Sequence, residues 1–213
     1  MNEVIINARK LAEYINDSNL SLVPPLECPY QNHIGALFTD IIIQSGVSYH
    51  SVVVPRVNHV LKNYPDAFSV NKFTSVISEN GIENILKWNH SIKLKRMNDL
   101  ILFCQKNRIN YAKDLKEFLG SPSNRKKFLK INGIGNKTLD YLLKLLNVET
   151  VAVDRHIFSF VEKAGIESND YHNVKLVVEY AADIMNISRR MMDYSIWSYM
   201  SNSASNKQLS LSF

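Results

Sequence analysis

Apolar residues recur along this chain at the three- and four-residue spacing of a helix face, broken by short polar or proline-bearing stretches. Val4, Ile5, Ala8, Leu11, Ala12 and Ile15 predict a first helix over residues 3–16, closed by Asn16-Asp17-Ser18-Asn19. After a loop from Leu22 to Tyr30, residues 33–45 predict a helix apolar on nearly every side, which belongs in the middle of a bundle. Gln44 closes it ahead of the turn Ser45-Gly46. Residues 48–62 read as helical, with Pro55 kinking or restarting the helix. Short helices near 71–79 and 81–88 precede a basic loop, Trp88 to Arg96. A helix over about 94–106 turns Met97, Leu100, Ile101 and Cys104 inward, and another covers about 111–119, stopped by Gly120. Ser121-Pro122-Ser123 caps the next, with proline in the first turn where its missing N–H is harmless. Helices from Asp154 to about Ala164, from Ser168-Asn-Asp170 to about 186, and from Ser188 to Met200 complete an all-α fold without internal repeats.

Composition narrows the class. A chain of 213 residues with 46% hydrophobic and 21% charged residues holds one sizeable core or two small lobes and is not disordered over most of its length. Seven glycines and six prolines suit long helices rather than many short strands. A net charge of +5 and a pI near 9.1 fit a polyanionic partner without establishing one. Two cysteines, Cys28 and Cys104, are too few for a four-cysteine zinc site or an iron–sulfur cluster, so neither metal nor cofactor is expected. No signal peptide or membrane-length apolar run is seen, so the expected setting is the reduced interior of a cell.

The most informative stretch is Phe128-Leu-Lys-Ile-Asn-Gly-Ile-Gly-Asn-Lys-Thr-Leu-Asp-Tyr-Leu-Leu143. An apolar helix end meets Gly133-Ile134-Gly135, and a second helix then places Leu139, Leu142, Leu143 and Leu146 on one face. Glycines flanking one apolar residue make a tight turn, because glycine reaches φ > 0 without steric cost. Ile134 plugs the angle between the helices, and the N–H groups opening the second helix face outward as a site for one phosphate. Lys130 and the run Arg125, Lys126, Lys127 lie beside it: a solvated face, or an extension of a DNA footprint.

These residues resemble the helix-hairpin-helix of the endonuclease III superfamily of DNA glycosylases. Lys137 follows the hairpin, and 17 positions later Asp154 stands in Val151-Ala-Val-Asp-Arg-His-Ile157, which is similar to that family's V-D-x-H segment with its catalytic aspartate. The resemblance is strong over 128–158 and diffuse over the rest of 1–200. It implies two helical lobes with the site in the cleft between them: a six-helix barrel over 25–149, and a second lobe from 1–24 plus 150–200. It also implies binding of Gly133, Ile134, Gly135 and Asn136 to a phosphate. Gln44 would enter the space left by an extruded base, its amide donating and accepting toward the orphaned partner; the alternative is a polar residue satisfying helix carbonyls. Ile92 would wedge into the opened stack, with Lys93, Lys95 and Arg96 around it on DNA, or else pack under its loop. Trp88, His90 and Trp197 read as core or loop residues, and His156 as a structural hydrogen-bonder. The family's iron–sulfur cysteines are missing after Asp154.

The resemblance further implies that Lys137 attacks C1′ of the damaged nucleotide, giving a Schiff base that permits β-elimination. Its amine must be neutral to do so, so its pKa, about 10.4 in a free peptide, has to fall. Asp154 would accept the amine's proton and offset positive charge on the sugar. Plainer alternatives are a phosphate-contacting lysine and a helix N-cap aspartate. The implied activity is base-excision repair of oxidised pyrimidines by a monomeric glycosylase and AP lyase on duplex DNA. Alternatives are an 8-oxoguanine glycosylase/lyase, a base-removing enzyme without lyase activity, and a non-catalytic DNA-binding protein.

Residues 201–207 are small and polar and read as a flexible linker. The chain then ends Gln208-Leu-Ser-Leu-Ser-Phe213, which resembles the hexapeptide by which bacterial proteins bind the sliding clamp. In an extended peptide Leu209, Leu211 and Phe213 share a side. The alternative is a tail packed on its own domain. A clamp peptide implies a bacterial or phage source and a cytoplasmic, nucleoid-associated protein.

Overall fold

The structure, a computed structural model, describes residues 2–25 and 27–210, the side chains of 202–210 excepted. Among the described residues every regular element is a helix, as the apolar spacing predicts. The chain divides into two compact units: Cys28–Asn147, and residues 1–27 with 148–213.

The first unit is built around α2 (Ile34–Ile43), all ten residues of which are buried. Its neighbours are α3 (Val54–Asn63), α4 (Val70–Asn80), α6 (Ser91–Lys106) and α9 (Asn136–Leu145). A helix so enclosed can hold few polar groups. Thr39 satisfies its hydroxyl on Gly35 O at 2.7 Å, which leaves Asp40 as the one buried carboxylate of α2. Gly35 permits a close approach: a Cβ there would lie 3.0 Å from that of Ala67, whose carbonyl accepts from Gly35 N.

At Pro55 the helix restarts rather than kinks. A π-helical segment, Tyr49–Val53, runs into α3, which takes the proline in its first turn. Next, α5 (Ile82–Leu86) follows α4 across Gly81, and α7 (Ala112–Gly120) and α8 (Pro122–Phe128) lead to the hairpin. Phe128 is fully buried with its ring edge-on to Phe103, so α8 is anchored next to the turn. The basic stretch up to Arg96, expected as a loop, is helical from Ser91, with His90 extended at the N-cap. Nothing in 91–96 breaks a helix, so Ile92, Lys93, Lys95 and Arg96 ride on the opening turns of α6.

The second unit pairs α1 (Asn2–Asp17) with α11 (Tyr171–Ile184), and α12 (Arg189–Ser210) with α10 (Arg155–Lys163) and α11. Ala8, Leu11, Ala12 and Ile15 of α1 meet Val174, Val178 and Phe160, and Phe160 stands edge-on to Tyr14 and Tyr199. Ser188 caps α12 by accepting from Met191 N, and Asp170 caps α11 by accepting from Asn173 N. The helix α12 extends through 201–207, the stretch read as a linker. Leu211 and Phe213 of the proposed clamp peptide lie outside the described residues, as do the side chains of Gln208 and Leu209. Among the described residues no helix is long and apolar enough to cross a membrane.

Candidate active site

The hairpin forms where the sequence places it. Ile131 N donates to Phe128 O and Ile134 N to Ile131 O, closing two tight turns around Gly133, whose φ of +78° is the left-handed region. Ile134 is 4% exposed and plugs the angle. Gly135 departs from the expectation that both glycines need positive φ. Its φ is −106°, open to any residue, and a Cβ there would meet nothing within 4 Å. It is the N-cap of α9, without a side chain to satisfy the first-turn amides, which therefore have no intrahelical acceptor. Those amides, the exposed Gly133, Gly135 and Asn136, and the exposed Lys130 make an anion-facing surface.

Arg96 joins this surface. A Cβ built on Gly133 would fall 2.0 Å from Arg96 Nη2 and 2.2 Å from Cζ, so the guanidinium lies against the bare glycine. Its Nε is buried without a hydrogen-bond partner. On the same helix Ile92 is 60% exposed and Lys95 faces solvent. Lys93 is turned the other way. Its amine donates to Ile43 O at 2.6 Å and Ser45 O at 2.8 Å, closing the C-terminal end of α2, where a cation meets the negative end of the helix dipole. It also lies over the Trp88 ring, which Arg56 approaches as well. Burial, then the nearby Arg96 and Arg56, hold the Lys93 amine below its usual pKa.

Lys137, in the first turn of α9, donates to Gln44 Oε1 at 2.5 Å, and its Nζ lies 5.1 Å from the centre of the Tyr141 ring. Gln44 Nε2 is buried with no partner, so the amide is held through its oxygen. One turn back along α2 and one turn on along α9, Tyr141 donates to both oxygens of Asp40 at 3.2 Å. Two i, i+4 pairs therefore face each other, Asp40 and Gln44 on α2 and Lys137 and Tyr141 on α9. Tyr30 and Tyr49 also donate to Asp40 Oδ2, at 2.6 and 3.4 Å. The sequence reading missed Asp40 and its three tyrosines. A carboxylate inside an otherwise apolar helix was the available signal.

In the other unit, Asp154 is the N-cap of α10, and its Oδ1 accepts from His156 N at 2.9 Å and Ile157 N at 3.1 Å. The buried segment before it belongs to no helix, so its amides need other acceptors. Ala152 N donates to Asp193 Oδ2 at 2.7 Å, and Thr150 Oγ1 and Val151 N to Glu179 Oε1 at 3.3 and 3.4 Å. Arg189 balances Glu179 at 3.1 Å. Carboxylates from α11 and α12 thus fix the backbone that delivers Asp154. His156 is half-buried, and its backbone rather than its ring serves the cap.

The all-helical described chain, with a glycine hairpin opening α9, has the fold of helix-hairpin-helix DNA glycosylases: the H. pylori 3-methyladenine DNA glycosylase MagIII, in a crystal structure bound to 1,N6-ethenoadenine, superposes with a TM-score of 0.66. That match covers 96% of this chain and 98% of that one at 18% identity. By sequence, residues 88–201 match the family described as Domain of unknown function (DUF8548), and the chain belongs to that family. No curated protein matches it.

Proposed function

We propose that this protein is a base-excision-repair DNA glycosylase with AP-lyase activity. The observation that carries the reading is Lys137, placed in the first turn of the helix that follows the phosphate-facing hairpin, with its amine held on Gln44 Oε1. The hairpin amides, Lys130 and Arg96 take the backbone of duplex DNA, and Ile92 fills the opened stack. A neutral Lys137 amine attacks C1′, and the C1′–N bond breaks as the base leaves with a proton. Asp154 offsets positive charge on the sugar and receives the amine's proton. The C1′–O4′ bond then opens, O4′ taking that proton back from Asp154 as the nitrogen lone pair forms the iminium; this makes the C2′ hydrogen acidic, its loss expels the 3′ phosphate, and water then hydrolyses the imine to free the enzyme.

Oxidised pyrimidines and 8-oxoguanine remain the lesions the sequence resemblance suggests. The fold neighbour, a 3-methyladenine DNA glycosylase bound to 1,N6-ethenoadenine, adds alkylated purines. Borohydride trapping on duplexes holding an abasic site, thymine glycol, 8-oxoguanine or 1,N6-ethenoadenine tests this. The expected result is a covalent adduct lost in Lys137→Gln. Base release with an intact strand and no adduct would overturn the lyase assignment in favour of a base-removing enzyme. Binding with neither product would leave a non-catalytic DNA-binding protein. The terminal peptide Gln208, Leu209, Leu211 and Phe213 is proposed to bind a sliding clamp, and deletion of 208–213 should abolish clamp pull-down while leaving excision intact.

A further inference from the structure

Asp40 is 0% exposed, yet it lies within the electrostatic reach of Lys137. Carboxylates are seldom fully buried unless paired and hydrogen-bonded. Here three hydroxyls converge on it from three different segments: Tyr30 before α2, Tyr49 in the π-helical segment, and Tyr141 on α9. Such a set is more than packing requires, because an apolar side chain at position 40 would continue the pattern of Ile41, Ile42 and Ile43. Tyr141 links the carboxylate to the lysine directly, its hydroxyl on Asp40 and its ring 5.1 Å from the Lys137 amine.

We infer that Asp40 is a positioning residue for Lys137: through Tyr141 it fixes the aromatic ring beside the amine, and its own charge biases that amine toward the protonated form. The inference rests on the reading of Lys137 as the Schiff-base nucleophile. Burial pushes the Asp40 carboxyl up to about 6, against the hydrogen bonds from Tyr30, Tyr141 and Tyr49 and the charge of Lys137, all of which pull it down. Below that pH Asp40 is a neutral acid and the amine gives up its proton more easily; above it, the carboxylate opposes that loss. The acid limb of the pH–rate profile is thereby flattened. Within this unit the groups facing the pair are the three tyrosines, whose hydroxyls burial holds neutral, and Lys144, whose amine is 5.9 Å from the Tyr141 ring centre. Asp154, which the proposed mechanism assigns to the same amine, is present in every variant below.

The test is a titration of the DNA-free protein with its lysines dimethylated with ¹³C, the Lys137 signal being the one lost in Lys137→Arg. The wild-type signal is expected to respond in two steps, the lower near pH 6. Asp40→Asn should lose the lower step and lower the amine's own midpoint by about one unit. Tyr141→Phe removes a single hydroxyl and guards against an unfolded Asp40→Asn protein. It should move the lower step to higher pH, since the carboxylate loses a donor. A Lys137 signal with one step in the wild type, or one unchanged by Tyr141→Phe, would overturn the inference. Borohydride trapping decides the lyase reading separately, so either result can fail without the other.

Discussion

Lys137 Nζ donates to Gln44 Oε1 at 2.5 Å, across 93 residues of sequence, while the Gln44 Nε2 has no partner. A neutral acceptor orients the amine without adding negative charge that would hold its proton. Gln44→Glu supplies that charge, and the amine's pKa should rise by about one unit. Schiff-base trapping at pH 7 should then slow about tenfold and recover as the pH is raised toward 9. A rate deficit that stays constant with pH would show that Gln44 acts only by shape.

Gly133→Ala should be costly in two ways. The new Cβ would occupy a backbone with φ of +78° and displace the Arg96 guanidinium. The left-handed conformation alone costs about 1–2 kcal/mol, read as a lower urea midpoint. Duplex affinity should fall too, because the hairpin and Arg96 shift together. Gly135→Ala should be far milder in stability, since its φ is ordinary and the space is open.

Asp154 is the N-cap of α10 and, in the proposed mechanism, the carboxylate beside the sugar, and substitution can separate the two. Asparagine keeps an oxygen for the amides of His156 and Ile157, so Asp154→Asn should retain its melting temperature and DNA binding while losing excision. Asp154→Ala should lose excision and also about 1 kcal/mol of stability from the missing cap. Equal melting temperatures for the two variants would remove the cap from the account.

The pH dependence of stability should carry the mark of Asp40. Its pKa rises from 3.8 to about 6 on folding, so folding takes up a proton between those values. The contribution is present in full below about pH 4 and is lost as pH rises through 6, on the order of 3 kcal/mol in all. Urea unfolding of wild type and Asp40→Asn between pH 4 and 7 measures it. The wild type should lose stability relative to the variant over that window.

The helices were legible because their apolar faces repeat at helical spacing; α1, α2, α7 and α11 fall within a few residues of the expected spans. The hairpin was legible for a different reason, since a glycine able to take positive φ next to an apolar residue, between two helical faces, marks a tight turn. The start of α6 was misplaced because charged residues at 93, 95 and 96 look like a loop, whereas on a helix they simply face outward or back onto neighbours. Lys93 shows the limit clearly. From sequence it is one more cation in a basic run, and only the fold reveals that its amine closes the end of α2. Asp40 stood out only as a carboxylate in an apolar helix, and its tyrosines were invisible for a related reason: Tyr30, Tyr49 and Tyr141 are distant in sequence and meet only after folding.

The pairing of α1 with α11 sets an order for biosynthesis. The unit Cys28–Asn147 is continuous and can close while the rest of the chain is still being made. By contrast, α1 leaves the ribosome ahead of that unit with Ala8, Leu11, Ala12 and Ile15 uncovered, and their partners on α11 begin only at Tyr171. At about 5–20 residues per second that gap of about 150 residues lasts on the order of 10–30 s. During it the apolar face of α1 stays uncovered, open to chaperone capture or premature aggregation.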